Sequence, residues 1–172
     1  MRDETLLLSQ RVLDACRLRK FKIVTAESCT GGLIAGALTE PAGASDVFER
    51  GFVTYSNEAK QELLGVPADI LAAHGAVSEA TVEAMALGAL ARSQAQIALS
   101  VSGVAGPSGG AAAKPVGTVF FALAKQDRPI LVAEKHFAPP EGPAFSREKV
   151  RKLAVLFGLQ MLLEAAAPAL MA

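Results

Sequence analysis

The apolar positions Leu6, Leu7, Val12, Leu13, Cys16 and Leu18 fall near helical spacing with charges between them, and predict an opening helix over residues 4–19. A short apolar run over 21–26 predicts a strand. Glu27-Ser28-Cys29-Thr30-Gly31-Gly32 follows, then a helical run over 33–39 that Pro41 and Gly43 halt. Residues 51–55 read as a second strand, and Ser56 or Asn57 can cap a short helix over 58–64 that Gly65 closes. Ser78 caps a longer helix to about residue 93, with Val82, Met85, Ala86 and Leu90 facing inward. The nearly unbroken apolar run over 97–102 predicts a strand covered on both faces. A glycine-bearing loop over 103–116 leads to a strand at 118–124. A turn at 126–129 and a strand at 130–137 then complete an antiparallel pair. A break at 139–143 precedes a final amphipathic helix over 145–166. Helices alternating with strands, and a closing hairpin, predict an α/β fold: a three-layer α/β/α sandwich with a mixed sheet. One domain spanning residues 1–172 is expected, of a size that buries roughly 70% of its unfolded surface.

Composition narrows the partners. With 17 basic and 17 acidic residues, no global field draws DNA or an anionic membrane. Aromatic residues make up only 5% and Trp is absent, so base stacking has little to work with and no nucleic-acid partner is expected. The opening MRDETLLLSQ lacks the basic-then-apolar pattern of an export signal, and the longest apolar stretch, 153–163, is too short to span a bilayer. A cytoplasmic protein with no membrane partner follows as the expectation. In that setting Cys16 and Cys29 are expected to be free thiols. The 2 Cys and 2 His are scattered singly and give no metal-ligand spacing, so no metal or other cofactor is expected. The apolar excess of 51% leaves room for a helix-mediated homo-oligomer.

Three segments could carry chemistry. The passage through Glu27 to Gly32 puts Ser28 at the carboxyl end of a strand, where open α/β sheets bind ligands. The following helix start offers unpaired N–H groups, and Gly31 and Gly32 let the backbone come close to a bound oxyanion or phosphate. Helix capping by Ser28 or Thr30 accounts for the same residues without chemistry. Cys29 is a rival nucleophile, since a thiolate at a helix N-terminus would be activated; a small buried apolar group is the commoner role. In the second segment, Tyr55 to Lys60, a cap at Asn57 would place Lys60 in the first turn of a helix, which disfavours its cation. Lowering a lysine from about 10.4 to about 7 takes roughly 4–5 kcal/mol, whereas a helix terminus supplies at most about 2. Burial must supply the remainder if Lys60 is a base; otherwise it is a solvated surface lysine. The third is the loop after the most apolar strand, with Ser102, Gly103, Ala105 and Gly106. It can wrap a ligand with main-chain donors or serve as a plain connection. Arg147 and Arg151, one turn apart, could clamp a phosphate or lie on a solvated helix face. His74 and His136 are isolated, which argues against a Ser-His-Asp triad.

Taken together, residues 25–32 (TAESCTGG), 48–60 (FERGFVTYSNEAK), 74–79 (HGAVSE), 102–107 (SGVAGP) and 114–118 (KPVGT) resemble the CinA C-terminal domain family over nearly the whole chain, with Arg147 and Arg151 aligning more loosely. The resemblance implies metal-free hydrolysis of the amide of nicotinamide mononucleotide, giving nicotinic acid mononucleotide and ammonia. It also implies a serine–lysine arrangement mapping onto Ser28 and Lys60, with Tyr55 alongside. Thr30, Gly31, Gly32, Ser102, Gly103, Ala105, Gly106 and Arg147 are then expected to hold the substrate, a small pyridine mononucleotide. Larger family members carry an additional N-terminal domain linked to pyrophosphatase activity, an activity not expected of this chain. The competing readings are a non-catalytic nucleotide-binding module and an interaction protein of competence or damage responses.

Overall fold

The computed structural model describes residues 2–126, 128–139 and 141–167; Asp127 of the expected turn and Pro140 of the expected break lie outside the described residues. Its elements are α1 (Arg2–Arg19), β1 (Ile23–Glu27), α2 (Leu33–Thr39), a 3-10 turn (Ala44–Asp46), β2 (Phe48–Val53), α3 (Asn57–Leu64), α4 (Ala68–His74), α5 (Glu79–Ala91), β3 (Ile97–Gly103), β4 (Thr118–Lys125), β5 (Leu131–His136) and α6 (Arg147–Ala166).

The strands lie in the order β2-β1-β3-β4-β5. β1 runs parallel to both β2 and β3, whereas β3, β4 and β5 pair antiparallel, so the sheet is mixed as expected. Side chains alternate across its two faces. Ile23, Ile97, Leu99, Val101, Val119, Phe121 and Leu123 pack with α1, α2 and α6. Val24, Ala26, Ala98, Phe120, Ala122 and Ala124 pack with α3, α4 and α5. The second face is built largely of alanines, which lets α5 lie close, and Ser100 Oγ reaches the Val82 carbonyl of α5 at 2.6 Å. Gly88 of α5 sits tightest of all: a Cβ there would lie 2.0 Å from the carbonyl oxygen of Leu64, in the helix that carries Lys60.

Three elements differ from the sequence reading. β2 begins at Phe48, three residues before the expected start, and includes the charged pair Glu49 and Arg50. It is an edge strand with exposed positions, so charges interrupt its apolar pattern without interrupting its pairing. α4 was not predicted: it is a short helix opened by Pro67 and closed by Gly75, too brief for its periodicity to stand out. β1 runs to Glu27 rather than ending at residue 26, which brings the acid into the strand.

Candidate active site

β1 is the first strand and lies between β2 and β3, with the connection to β2 passing over one face (α2) and the connection from β2 to β3 passing over the other (α3 to α5). That reversal of the connections falls at β1, and the carboxyl end of a strand at such a point is where doubly wound sheets bind ligands. Ser28 is the first residue beyond the strand. Its N–H donates to the Val101 carbonyl of β3 at 3.0 Å, and the neighbouring Glu27 carbonyl accepts from Thr54 N–H at 2.8 Å, so the sheet grips the backbone at Ser28 from both sides.

Lys60 reaches the same point from α3. Ser56 is the cap of that helix, its hydroxyl accepting from Ala59 N–H at 3.0 Å, which puts Lys60 in the first turn. The side chain has no exposed surface, and Nζ lies 3.1 Å from Ser28 Oγ. Its other neighbours are the carbonyls of Thr54 at 2.8 Å, Tyr55 at 3.4 Å and Ser56 at 3.5 Å. Burial pushes the Lys60 ammonium below its ordinary value, outweighing the opposing attraction of Cys29 and Glu58. Two of the four oxygens around Nζ are close, the Thr54 carbonyl and Ser28 Oγ. A neutral amine there donates twice and can turn its lone pair to the serine proton.

The rival nucleophile is switched off. Cys29 is buried, and desolvation is the main reason its thiol is pushed up to about 12, with the Glu27 charge acting in the same direction. At neutral pH it is a protonated, apolar filler. Cys29→Ala is expected to keep at least about a third of wild-type turnover, since only a small packing defect is introduced; a steady-state assay beside Ser28→Ala checks this.

The turn after Ser28 departs from the simplest picture of a free helix N-terminus. Gly31 N–H donates to the Ser28 carbonyl at 3.0 Å, and Gly32 N–H donates to the Glu27 carboxylate at 3.0 Å. Both glycines have positive φ, +61° and +92°, which explains why glycine stands at each. Glu27 is the residue that sequence reasoning left without a role. It is 1% exposed, and besides Gly32 it accepts from Thr30 Oγ1 at 2.7 Å, Ile34 N–H at 3.0 Å and Ala35 N–H at 2.8 Å. The available signal was a helix whose own cap position is Gly32, with no side chain to serve it. Among the described residues, no backbone carbonyl accepts the N–H groups of Cys29 or Thr30.

The remaining sequence-predicted residues lie on the segments around this point. Arg147 of α6 donates to the Gly106 carbonyl at 3.0 Å and to the Tyr55 hydroxyl, tying together three segments at the rim. Tyr55 is exposed, and its hydroxyl meets Arg147 rather than Ser28 or Lys60. Arg151 braces the turn after Ser28, donating to the Thr30 carbonyl at 2.9 Å. The Ser102 hydroxyl donates to the Ala76 carbonyl at 2.7 Å, holding the segment before α5 against the end of β3. Gly103 lies in β3, where a Cβ would come within 2.8 Å of the Thr118 carbonyl, and Ala105 is buried. Neither histidine bonds to the pair. His136 contacts Thr118 and Glu134 on the β4–β5 hairpin, and the His74 carbonyl accepts from Lys114. Among the described residues there is no cluster of three metal-ligating side chains, and no helix is long and apolar enough to cross a membrane.

A hydroxyl facing a desolvated amine, beside unused main-chain N–H groups, is equipped for acyl transfer. Known proteins are similar to this chain over most of its length. A protein of Enterobacter agglomerans named nicotinamide-nucleotide amidohydrolase PncC is 51% identical over 153 residues, 89% of this chain and 90% of its own. The protein of the same name in Escherichia coli K12 is 47% identical over 160 residues, 93% of each chain. The crystal structure of the competence/damage inducible protein CihA from Agrobacterium tumefaciens superposes with a TM-score of 0.88 at 44% identity, covering 94% of each chain. The family model described as the CinA C-terminal domain matches residues 6–166. The chain therefore belongs to the CinA C-terminal domain family.

Proposed function

We propose that the protein is a nicotinamide-nucleotide amidohydrolase, converting nicotinamide mononucleotide and water to nicotinic acid mononucleotide and ammonia. The observation that carries the reading is the 3.1 Å approach of a fully buried Lys60 Nζ to Ser28 Oγ. The names of the two relatives supply the substrate.

In this mechanism neutral Lys60 accepts the Ser28 proton as Oγ attacks the carboxamide carbon. The N–H groups of Cys29 and Thr30 receive the charge that develops on the carbonyl oxygen; loss of one such donor typically costs about 2.7–4 kcal/mol. The Lys60 ammonium then returns its proton to the departing nitrogen, which leaves as ammonia. Water, deprotonated by the same amine, cleaves the acyl-enzyme and restores Ser28. Tyr55 walls the pocket and orients Arg147. Arg147, with the main chain of Ser102, Gly103, Ala105 and Gly106, holds the ribose phosphate, while Thr30, Gly31 and Gly32 shape the floor. The same reading makes residues 1–172 one amidohydrolase domain. It acts in the cytoplasm on a small molecule, without metal, other cofactor or nucleic acid. It works as a homo-oligomer, for which the exposed Leu6 and Leu7 of α1 offer apolar surface.

The test is direct: purified protein mixed with nicotinamide mononucleotide releases ammonia and the acid mononucleotide in equal amounts. Absence of both above a no-enzyme control overturns the reading. Arg147→Ala is expected to raise KM about tenfold or more, the scale of one lost charge-assisted contact, with kcat changed less. An unchanged KM removes Arg147 from the phosphate role.

A further inference from the structure

We infer that Glu27 is a positioning residue for the acyl-transfer step, setting the nucleophile turn by closing it on itself. This rests on the proposed amidohydrolase reading only for the choice of natural substrate. The main chain of Glu27 is fixed in β1 by its pairing with Thr54, and its side chain doubles back to the Thr30 hydroxyl. Residues 28–30 are thereby anchored at both ends to one residue. Arg151 on the Thr30 carbonyl and Gly31 N–H on the Ser28 carbonyl brace the span between. Every other donor of the turn being spent, the N–H groups of Cys29 and Thr30 are the ones left for a developing oxyanion.

The carboxylate has a second effect on the same step. It lies against the start of α2 and takes three of its backbone N–H groups. The partial positive charge of that helix end is therefore met from within the protein. A substrate phosphate gains nothing there, so it does not compete with the carboxamide for the space beside Ser28.

Gln is the informative replacement. It matches Glu in shape, but with its oxygen toward Thr30, Gly32 and Ile34 its amide nitrogen faces Ala35 N–H, donor against donor. Two readouts on the full chain test the inference. The first is kcat and KM for ammonia release from nicotinamide mononucleotide. The second is the rate at which a fluorophosphonate labels Ser28, followed by intact mass. In that labelling the Oγ–P bond forms, the P–F bond breaks, fluoride leaves and the Oγ proton passes to Lys60.

For Glu27→Gln both kcat and the labelling rate are expected to fall about 30- to 100-fold, the scale of a 1 Å misplacement of a reacting group. KM should change less than kcat, because the Glu27 side chain is itself almost wholly buried and acts on the substrate only through the turn it holds. A variant that melts at a lower temperature yet labels and turns over at the wild-type rate overturns the inference and leaves Glu27 a helix cap. If Glu27→Gln does not fold, Thr30→Val removes a single donor at constant size. Its labelling rate is expected to fall about tenfold, and an unchanged rate is equally fatal. Wild-type labelling without ammonia release, with labelling lowered in Glu27→Gln, would overturn the substrate assignment while upholding the positioning role.

Discussion

Ser28→Ala and Lys60→Met are each expected to lower kcat for ammonia release by on the order of 10⁴-fold or more, the range seen when one member of a nucleophile–base unit is removed. The double variant should be no worse than either single one. In the proposed mechanism the two groups form one device: without the hydroxyl the amine has no proton to take, and without the amine the hydroxyl stays a weak nucleophile. Circular dichroism and melting of Ser28→Ala should match the wild type, since a hydroxyl at the end of a strand is exchanged for a hydrogen. Turnover within tenfold of wild type in either single variant would remove the serine–lysine mechanism, and additive losses in the double variant would separate the two roles.

The second large effect is on pH. If neutral Lys60 is the base, as proposed, kcat/KM is expected to rise about tenfold per pH unit below the depressed Lys60 value and to level above it. Lys60→Arg, whose guanidinium does not deprotonate, should be inactive at every pH. Stability carries the same signature. The folded chain binds the Lys60 proton more weakly than the unfolded chain, whose lysine has its ordinary value of 10.5. Between the depressed value and 10.5 the unfolded state therefore holds more protons, and folding stability rises with pH across that window. Below the window the cost of burying the amine is fully present. Denaturant unfolding at a series of pH values, with Lys60→Met as reference, isolates this contribution. A wild-type minus variant difference that is flat, or falls with pH, would mean that Lys60 is buried as a cation.

Much of this was legible in the sequence. The strand, the Ser-bearing turn and the glycines around 23–32 declare themselves because an apolar run, a polar break and a helical run follow one another within a few residues. The fold class follows from the order of elements. Lys60 was harder to read. Its helix start pointed to a lowered proton affinity, but burial is the largest cause, and the loss of all solvent is something only tertiary structure supplies. Glu27 was hidden for a related reason: its four partners lie three to eight residues downstream and converge only when α2 turns back over the strand. The edge strand β2 began earlier than expected because pairing of backbone groups does not require apolar side chains on an exposed strand.

The missing side chain at position 88 sets the distance between the helix that delivers the amine and the helix behind it. Any larger residue there would wedge the two apart and draw the base away from the hydroxyl, although nothing at that position comes near a ligand. A map of activity against substitution should therefore contain an intolerant spot remote from the pocket, where folded protein accumulates yet turns over poorly, and inspection of the substrate contacts alone would not reveal its origin.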